Sequence, residues 1–157
     1  MDGTIQQFVE RMGLICEKEG MARSAGRIFA LLLTGDRPYS LDELAEELQV
    51  SKASVSTNAR VLESLGFIER VSSLGDRRDF YRVEQDPWER MLRVAQTRWR
   101  DMVAVFAEAQ TRLPEGQEAG RRRMEEAERF HRLLLEGSDA LLEDWRRVRD
   151  ADSASGG

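Results

Sequence analysis

Residues 41–66 read LDELAEELQVSKASVSTNARVLESLG, and the folding of this stretch decides the rest of the chain. Leu41, Leu44, Ala45 and Leu48 recur at i, i+3, i+4 and i+7, so they share one face of a helix. Ser40 precedes them and Glu43 follows three residues later, the pattern of a capping box in which the two residues satisfy each other's first-turn N–H groups. The stripe stops at Gln49 and Val50, and Ser51 can cap a second helix. In that helix Val55, Ala59, Leu62 and Leu65 form the inner stripe. At about 100° per residue the opposite face carries Lys52, Ala53, Ser56, Thr57, Arg60 and Ser64. These side chains are small or hydrogen-bonding, with two cations and no bulky apolar group. Such a face can lie close to a surface, donate to base edges and hold phosphates. Gly66 ends the helix where a left-handed residue is favoured. The stretch reads as a helix-turn-helix whose second helix does the recognising; an ordinary helical hairpin with a solvated outer face is the competing reading.

After Gly66 the period changes from helical to extended. FIERVS (67–72) and FYRVE (80–84) are strand candidates, and the turn between them, residues 73–79, holds Arg77 and Arg78 side by side. A hairpin with a cationic tip behind a recognition helix is the plan of a winged helix. The helix would enter a major groove while Arg77 and Arg78 reach the flanking minor groove, whose negative potential attracts arginine. The alternative for these arginines is a solvated turn paired with Asp76 and Asp79. Upstream, Ile5, Phe8, Val9, Met12, Ile15 and Cys16 mark a first amphipathic helix. Ala25, Ile28, Phe29, Leu32 and Leu33 mark a second, stopped by Gly35-Asp36-Arg37-Pro38. Pro38-Tyr39 reads as an extended piece too short to be a strand of its own.

Asp86, Pro87 and Glu89 open a long helix. Trp88, Leu92, Ala95, Trp99, Met102, Phe106, Ala109 and Leu113 follow at alternating spacings of four and three, a heptad stripe closed by Pro114. At ~1.5 Å per residue the helix exceeds what a small winged domain needs for its own core. A second copy of the chain is the simplest cover for such a seam, with Leu92, Trp99, Met102 and Phe106 as its dimerisation contacts. A further helix with Met124, Ala127, His131 and Leu134 is expected to end at Gly137. Ser138 would cap a last one holding Leu141, Leu142, Trp145 and Val148. Residues 151–157 are small and polar and are expected to be disordered.

Composition narrows the classes. The chain has 157 residues, 41% apolar and 34% charged, which suits a soluble protein with a real core. No apolar run long enough to span a membrane exists and the N-terminus lacks a signal-peptide pattern, so a cytoplasmic protein without membrane attachment is expected. One cysteine and one histidine argue against an intrachain disulfide and against a Cys- or His-based metal site, and no cofactor is expected. Cys16 on an apolar stripe reads as a small packing residue, and His131 as a packing or surface residue. The net charge is −5, yet residues 51–82 carry six cations against four carboxylates, a local cationic surplus. No Gly-rich phosphate loop, nucleophile elbow or His/Cys cluster is present, so the chain does not read as an enzyme.

Several segments resemble the GbsR branch of the MarR-type winged-helix regulators: FVERMGL (8–14), GMARSAGRI (20–28), residues 40–66, and GDRRDFY (75–81). They cover roughly the first 85 residues; beyond them the likeness is one of arrangement only. The resemblance implies a mainly α fold with a small β-wing, a winged helix-turn-helix plus long helices forming a dimerisation part. Residues 1–20 would pack with that dimerisation part, 21–85 would form the DNA-binding domain, and 86–150 the helical dimerisation part. Carried over residue by residue, the DNA contacts would be Lys52, Ser54, Ser56, Thr57 and Arg60 on the helix and Arg77 and Arg78 on the wing. The expected protein is a homodimeric transcriptional regulator, a repressor on a pseudo-palindromic double-stranded operator, released by a small-molecule effector. Some members of the branch are linked to choline and glycine betaine metabolism. Trp88 and Trp99, with Phe106 and Tyr81, are therefore candidate walls of a cage for a quaternary ammonium effector; the same rings also suit a core or dimer seam. A winged helix used as a protein-interaction module without specific DNA binding is the other function these residues fit.

Overall fold

A computed structural model describes residues 2–72 and 78–155. The elements in chain order are α1 (Gly3–Lys18), α2 (Arg23–Thr34), β1 (Tyr39–Ser40), α3 (Leu41–Leu48), α4 (Lys52–Ser64), β2 (Ile68–Val71), β3 (Phe80–Val83), α5 (Pro87–Arg112) and α6 (Glu118–Ser155). The architecture is mainly α with a three-stranded antiparallel sheet in the order β1-β3-β2. The chain divides into two compact units, Met1–Arg90 and Met91–Gly157. No described helix is long and apolar enough to cross a membrane.

The first unit is built around α2. Ile28, Leu44, Leu48, Leu62 and Ile68 are almost wholly buried, joined by Val9, Phe29, Val55 and Tyr81 in one core. Each such large side chain contributes about 1.5–3 kcal/mol by leaving water. The capping box forms as read: Glu43 N–H donates to Ser40 Oγ at 3.3 Å, and Ser40 N–H donates to Glu43 Oε2 at 2.8 Å. The bond from Ser40 N–H, with a second that Ser40 Oγ donates to the same oxygen at 2.7 Å, holds the Glu43 carboxyl below the usual carboxylate range. Ser40 serves two elements, because Tyr39 and Ser40 also pair with Tyr81 and Phe80 of β3. The extended piece thought too short for a strand is thus the third strand of the sheet; two residues suffice because they add to an existing edge.

The expected boundary at residue 20 does not divide the chain. α1 lies against α2 within the first unit, and Val9 belongs to its core. Two glycines permit this approach. A Cβ on Gly26 would stand 2.5 Å from Met12 O and 2.7 Å from Cys16 Sγ, and one on Gly13 would stand 2.8 Å from Arg27 Cγ. Cys16 is half-buried in this crossing, and burial pushes its thiol pKa up, as befits a packing residue. The boundary expected after residue 85 also moves, to Arg90, because the first turn of α5 belongs to the winged domain. Asp86 caps that turn by accepting from Glu89 N–H at 3.1 Å. Trp88 meets Phe29 edge-on at 6.0 Å. Gly66, at φ +82°, leaves room for the Arg90 backbone, which a Cβ there would meet at 3.1 Å.

The second unit holds most of α5 and all of α6. The expected break at Gly137 and Ser138 does not occur: α6 runs unbroken from Glu118 to Ser155, ~57 Å at the usual rise. Ser138 is buried within the helix instead of capping one. Its Oγ donates to Leu135 O at 2.7 Å and accepts from the buried Gln96 of α5 at 2.8 Å. Gln96 also donates to Asp139 Oδ1 at 2.7 Å, so the polar groups between the helices are satisfied. Arg121 donates to the carbonyls of Gln110 and Leu113, placing a cation at the C-terminal end of α5. Most of the tail expected to be disordered, through Ser155, continues α6.

Gly26→Ala should destabilise the protein by about 1–3 kcal/mol, because the added methyl has to displace backbone as well as a side chain. Chemical denaturation followed by circular dichroism measures this as a lower midpoint at unchanged slope.

Candidate nucleic-acid interface

Helix α4 begins where Ser51 Oγ accepts from Ser54 N–H at 3.2 Å. Val55, Asn58, Ala59 and Leu62 face inward and are buried. The turn before the helix is fixed from behind. Gln49 adopts a left-handed conformation at φ 53°, and Arg27 Nη2 of α2 donates to Leu48 O at 2.8 Å. Arg27 Nε lies 2.9 Å from Glu10 Oε1 of α1 as a charge contact, not an aligned hydrogen bond. Glu10 also accepts from Arg23 at 2.6 Å, and that bond leads the causes that hold its carboxyl below the usual range.

The expected contact residues divide into two groups. Lys52, Thr57 and Arg60 are exposed and Ser56 is half-exposed, all clear of the core. Lys52 Nζ lies 2.7 Å from Asp42 Oδ1, an exposed pair that a phosphate can replace at little cost. Arg60 Nε donates to Ser56 O at 3.2 Å and Arg60 Nη2 to Ser56 Oγ at 3.3 Å, so the guanidinium is tethered while Nη1 makes no hydrogen bond among the described residues. Ser54 does not join this face. Its hydroxyl is directed to Ser24 Oγ of α2 at 3.4 Å, and its carbonyl accepts from Asn58 Nδ2 at 2.8 Å. Ser54 is thus a seating contact between α4 and α2. Its place four residues before the inward-facing Asn58 brings it to the edge of the inner stripe.

In the wing, Arg70 Nη1 donates to Asp79 Oδ2 at 3.3 Å and Arg82 Nε to Glu69 Oε1 at 2.7 Å. Arg78 is exposed and its guanidinium stands 5.2 Å from the centre of the Phe80 ring. Arg77 lies outside the described residues. Two residues of α4 escaped the sequence reading. Asn58 is buried at a position that a polar type conceals, and Val61 is 41% exposed beside the outer face.

Of the residues expected to wall an aromatic cage, Trp88 lies in the first unit and Trp99 is half-buried in the second. Tyr81 is buried in the winged-domain core, and Phe106 lies 5.6 Å from the His131 ring of α6. Trp88 does line a groove of about 450 Å³ with Leu33, Asp36, Arg37, Glu84 and other residues of the first unit. Phe106 is occupied by α6 of the same chain, Leu92 and Trp99 are half-buried, and Met102 is 41% exposed. Of the α5 heptad, Phe106 thus meets α6 of the same chain while Met102 is left exposed. No cluster of potential metal ligands occurs among the described residues.

The geometry defines a winged helix-turn-helix with a clear-faced second helix and an arginine beside the wing turn. Residues 19–79 match the model of the MarR family. A crystal structure of a transcriptional regulator superposes with a TM-score of 0.85 at 29% identity, over 92% of this chain and 99% of that one. The HTH-type transcriptional regulator MmpR5 of Mycobacterium tuberculosis is 45% identical over 80 residues, 50% of this chain and 48% of the relative. The HTH-type transcriptional repressor GbsR of Bacillus subtilis is 30% identical over 104 residues, 66% of this chain and 55% of the relative. The chain thus spans about half the length of the curated relatives it matches.

Ser51→Ala removes the cap that starts α4. It should cost about 1 kcal/mol of stability, read as a lower midpoint in thermal unfolding.

Proposed function

We propose that this chain is a homodimeric, sequence-specific transcriptional regulator that represses by occupying a pseudo-palindromic DNA operator. The observation that carries the reading is the outer face of α4: small and hydroxyl-bearing side chains with Lys52 and Arg60, exposed on a helix whose other face is locked into the core. Arg78 at the wing supplies a third cation for the backbone or the minor groove, and Arg77, next to it in sequence, is proposed with it. That the relatives are named as transcriptional regulators and repressors supports this function over enzymatic work. We keep the GbsR branch as a proposal for the N-terminal part, beside the higher identity to MmpR5.

The dimer reading is supported by α6. Phe130, Leu141 and Val148 are 58%, 57% and 54% exposed, and Leu133 is 60% exposed. Phe130, Gly137, Leu141 and Val148 fall on one line of the helix, about 100° around from the face that holds His131, Ser138 and Leu142. Gly137 has open space above it, so a second helix can approach closely there. A second copy of this chain covers such a stripe by symmetry. Met102 and Val105 of α5 are also exposed and can extend the seam. The effector, a small molecule that releases DNA, would use the groove beside Trp88 in preference to a cage shared with Trp99.

Arg60→Ala should weaken binding to a duplex selected from a random pool by about ten- to a hundredfold, with an unchanged melting temperature. Equal affinity for wild type and variant in a fluorescence-anisotropy titration would remove α4 from the interface. Leu141→Glu should shift the protein from dimer to monomer in sedimentation velocity; a variant that sediments as wild type places the seam elsewhere.

A further inference from the structure

The outer face of α4 holds a feature that charge alone does not account for. Ala53, Thr57 and Val61 are spaced i, i+4, i+8 and all three are exposed, Val61 at 41%. They form one row of methyl groups along the helix. Beside the row stands Arg60, tethered to Ser56 through Nε and Nη2. A valine 41% exposed on a face that is otherwise polar or made of alanine leaves part of its apolar surface in water among the described residues.

We propose, resting on the DNA-binding reading above, that Ala53, Thr57 and Val61 read the C5-methyl groups of thymines in the major groove. Thymine is the base that presents an apolar group there, and short methyl-bearing side chains are the ones that fit it. Arg60, held beside the row by Ser56, reads a neighbouring guanine through its O6 and N7 atoms. The half-site is then a short thymine-bearing run next to one G·C pair. The row sets specificity and the flanking Lys52 holds the phosphates, so loss of the methyl contacts changes the preferred sequence more than it changes the salt dependence.

The test is a duplex selected from a random pool, synthesised with thymine or with deoxyuridine at single half-site positions. The change removes one methyl group and leaves base pairing intact. Wild-type protein should bind each contacted deoxyuridine duplex about fourfold more weakly, the value of one buried methyl group. Thr57→Ser keeps the hydroxyl and drops the methyl. That variant should lose the thymine preference at one position and retain it at the others, while its melting temperature stays that of wild type. Equal affinity for thymine and deoxyuridine duplexes at every position overturns the methyl row but leaves DNA binding standing. A selection that enriches no sequence overturns both.

Discussion

The guanidinium of Arg27 joins three helices, and the presentation of α4 depends on it. From α2 it donates to Leu48 O at 2.8 Å, where α3 ends, and it meets Glu10 of α1 at 2.9 Å. The last carbonyls of a helix have no partner inside it, so a charged donor at this point fixes where the turn begins. Gln49 follows at φ 53°, an unfavourable conformation for a residue with a Cβ, and the surrounding contacts hold it there. Ser51 then starts α4 in a direction set by the turn. The close passage of α1 over α2 at Gly13 and Gly26 brings Glu10 within reach, so the sequence of α1 bears on the pose of a helix that begins only at Lys52.

That arrangement separates two jobs on one short helix. Val55, Asn58, Ala59 and Leu62 anchor α4, and Ser54 adds a polar contact to α2. The remaining face is free of packing duties, so its composition can answer to a ligand. Tethering Arg60 to Ser56 limits the entropy lost when a long side chain is ordered on binding. An exposed pair such as Lys52–Asp42 contributes little to folding and so can be exchanged for phosphate.

The parts of the fold legible in the sequence are those fixed by neighbours a few residues apart. The capping box of Ser40 and Glu43, the inner stripe of α4 and the change of period after Gly66 are local signals, and the structure carries each of them. What was not legible depends on partners distant in the chain. Tyr39 and Ser40 form a strand only because β3 offers an edge. Gly137 and Ser138 look like a stop and a cap, yet Gln96, forty-two residues away in sequence, engages Ser138 inside a continuous helix. A heptad stripe states that a face is covered but not by what; Phe106 meets His131 of α6 in the same chain, and the exposed stripe on α6 emerges only when exposure is known. In the candidate site, helical angle separated Lys52, Thr57 and Arg60 from the core, whereas Ser54 required the position of Ser24 to be placed correctly.

The central claim is that the face of α4 opposite Val55 meets DNA. The most direct measurement is a titration of isotope-labelled protein with a selected operator duplex, followed by amide and methyl NMR shifts. The account predicts that the largest changes fall on Lys52, Ala53, Ser56, Thr57 and Arg60, with Arg78 next and the inner residues of α4 little affected. Changes confined to α5 and α6, with α4 silent, would contradict it and favour a winged helix that serves as a protein-interaction module.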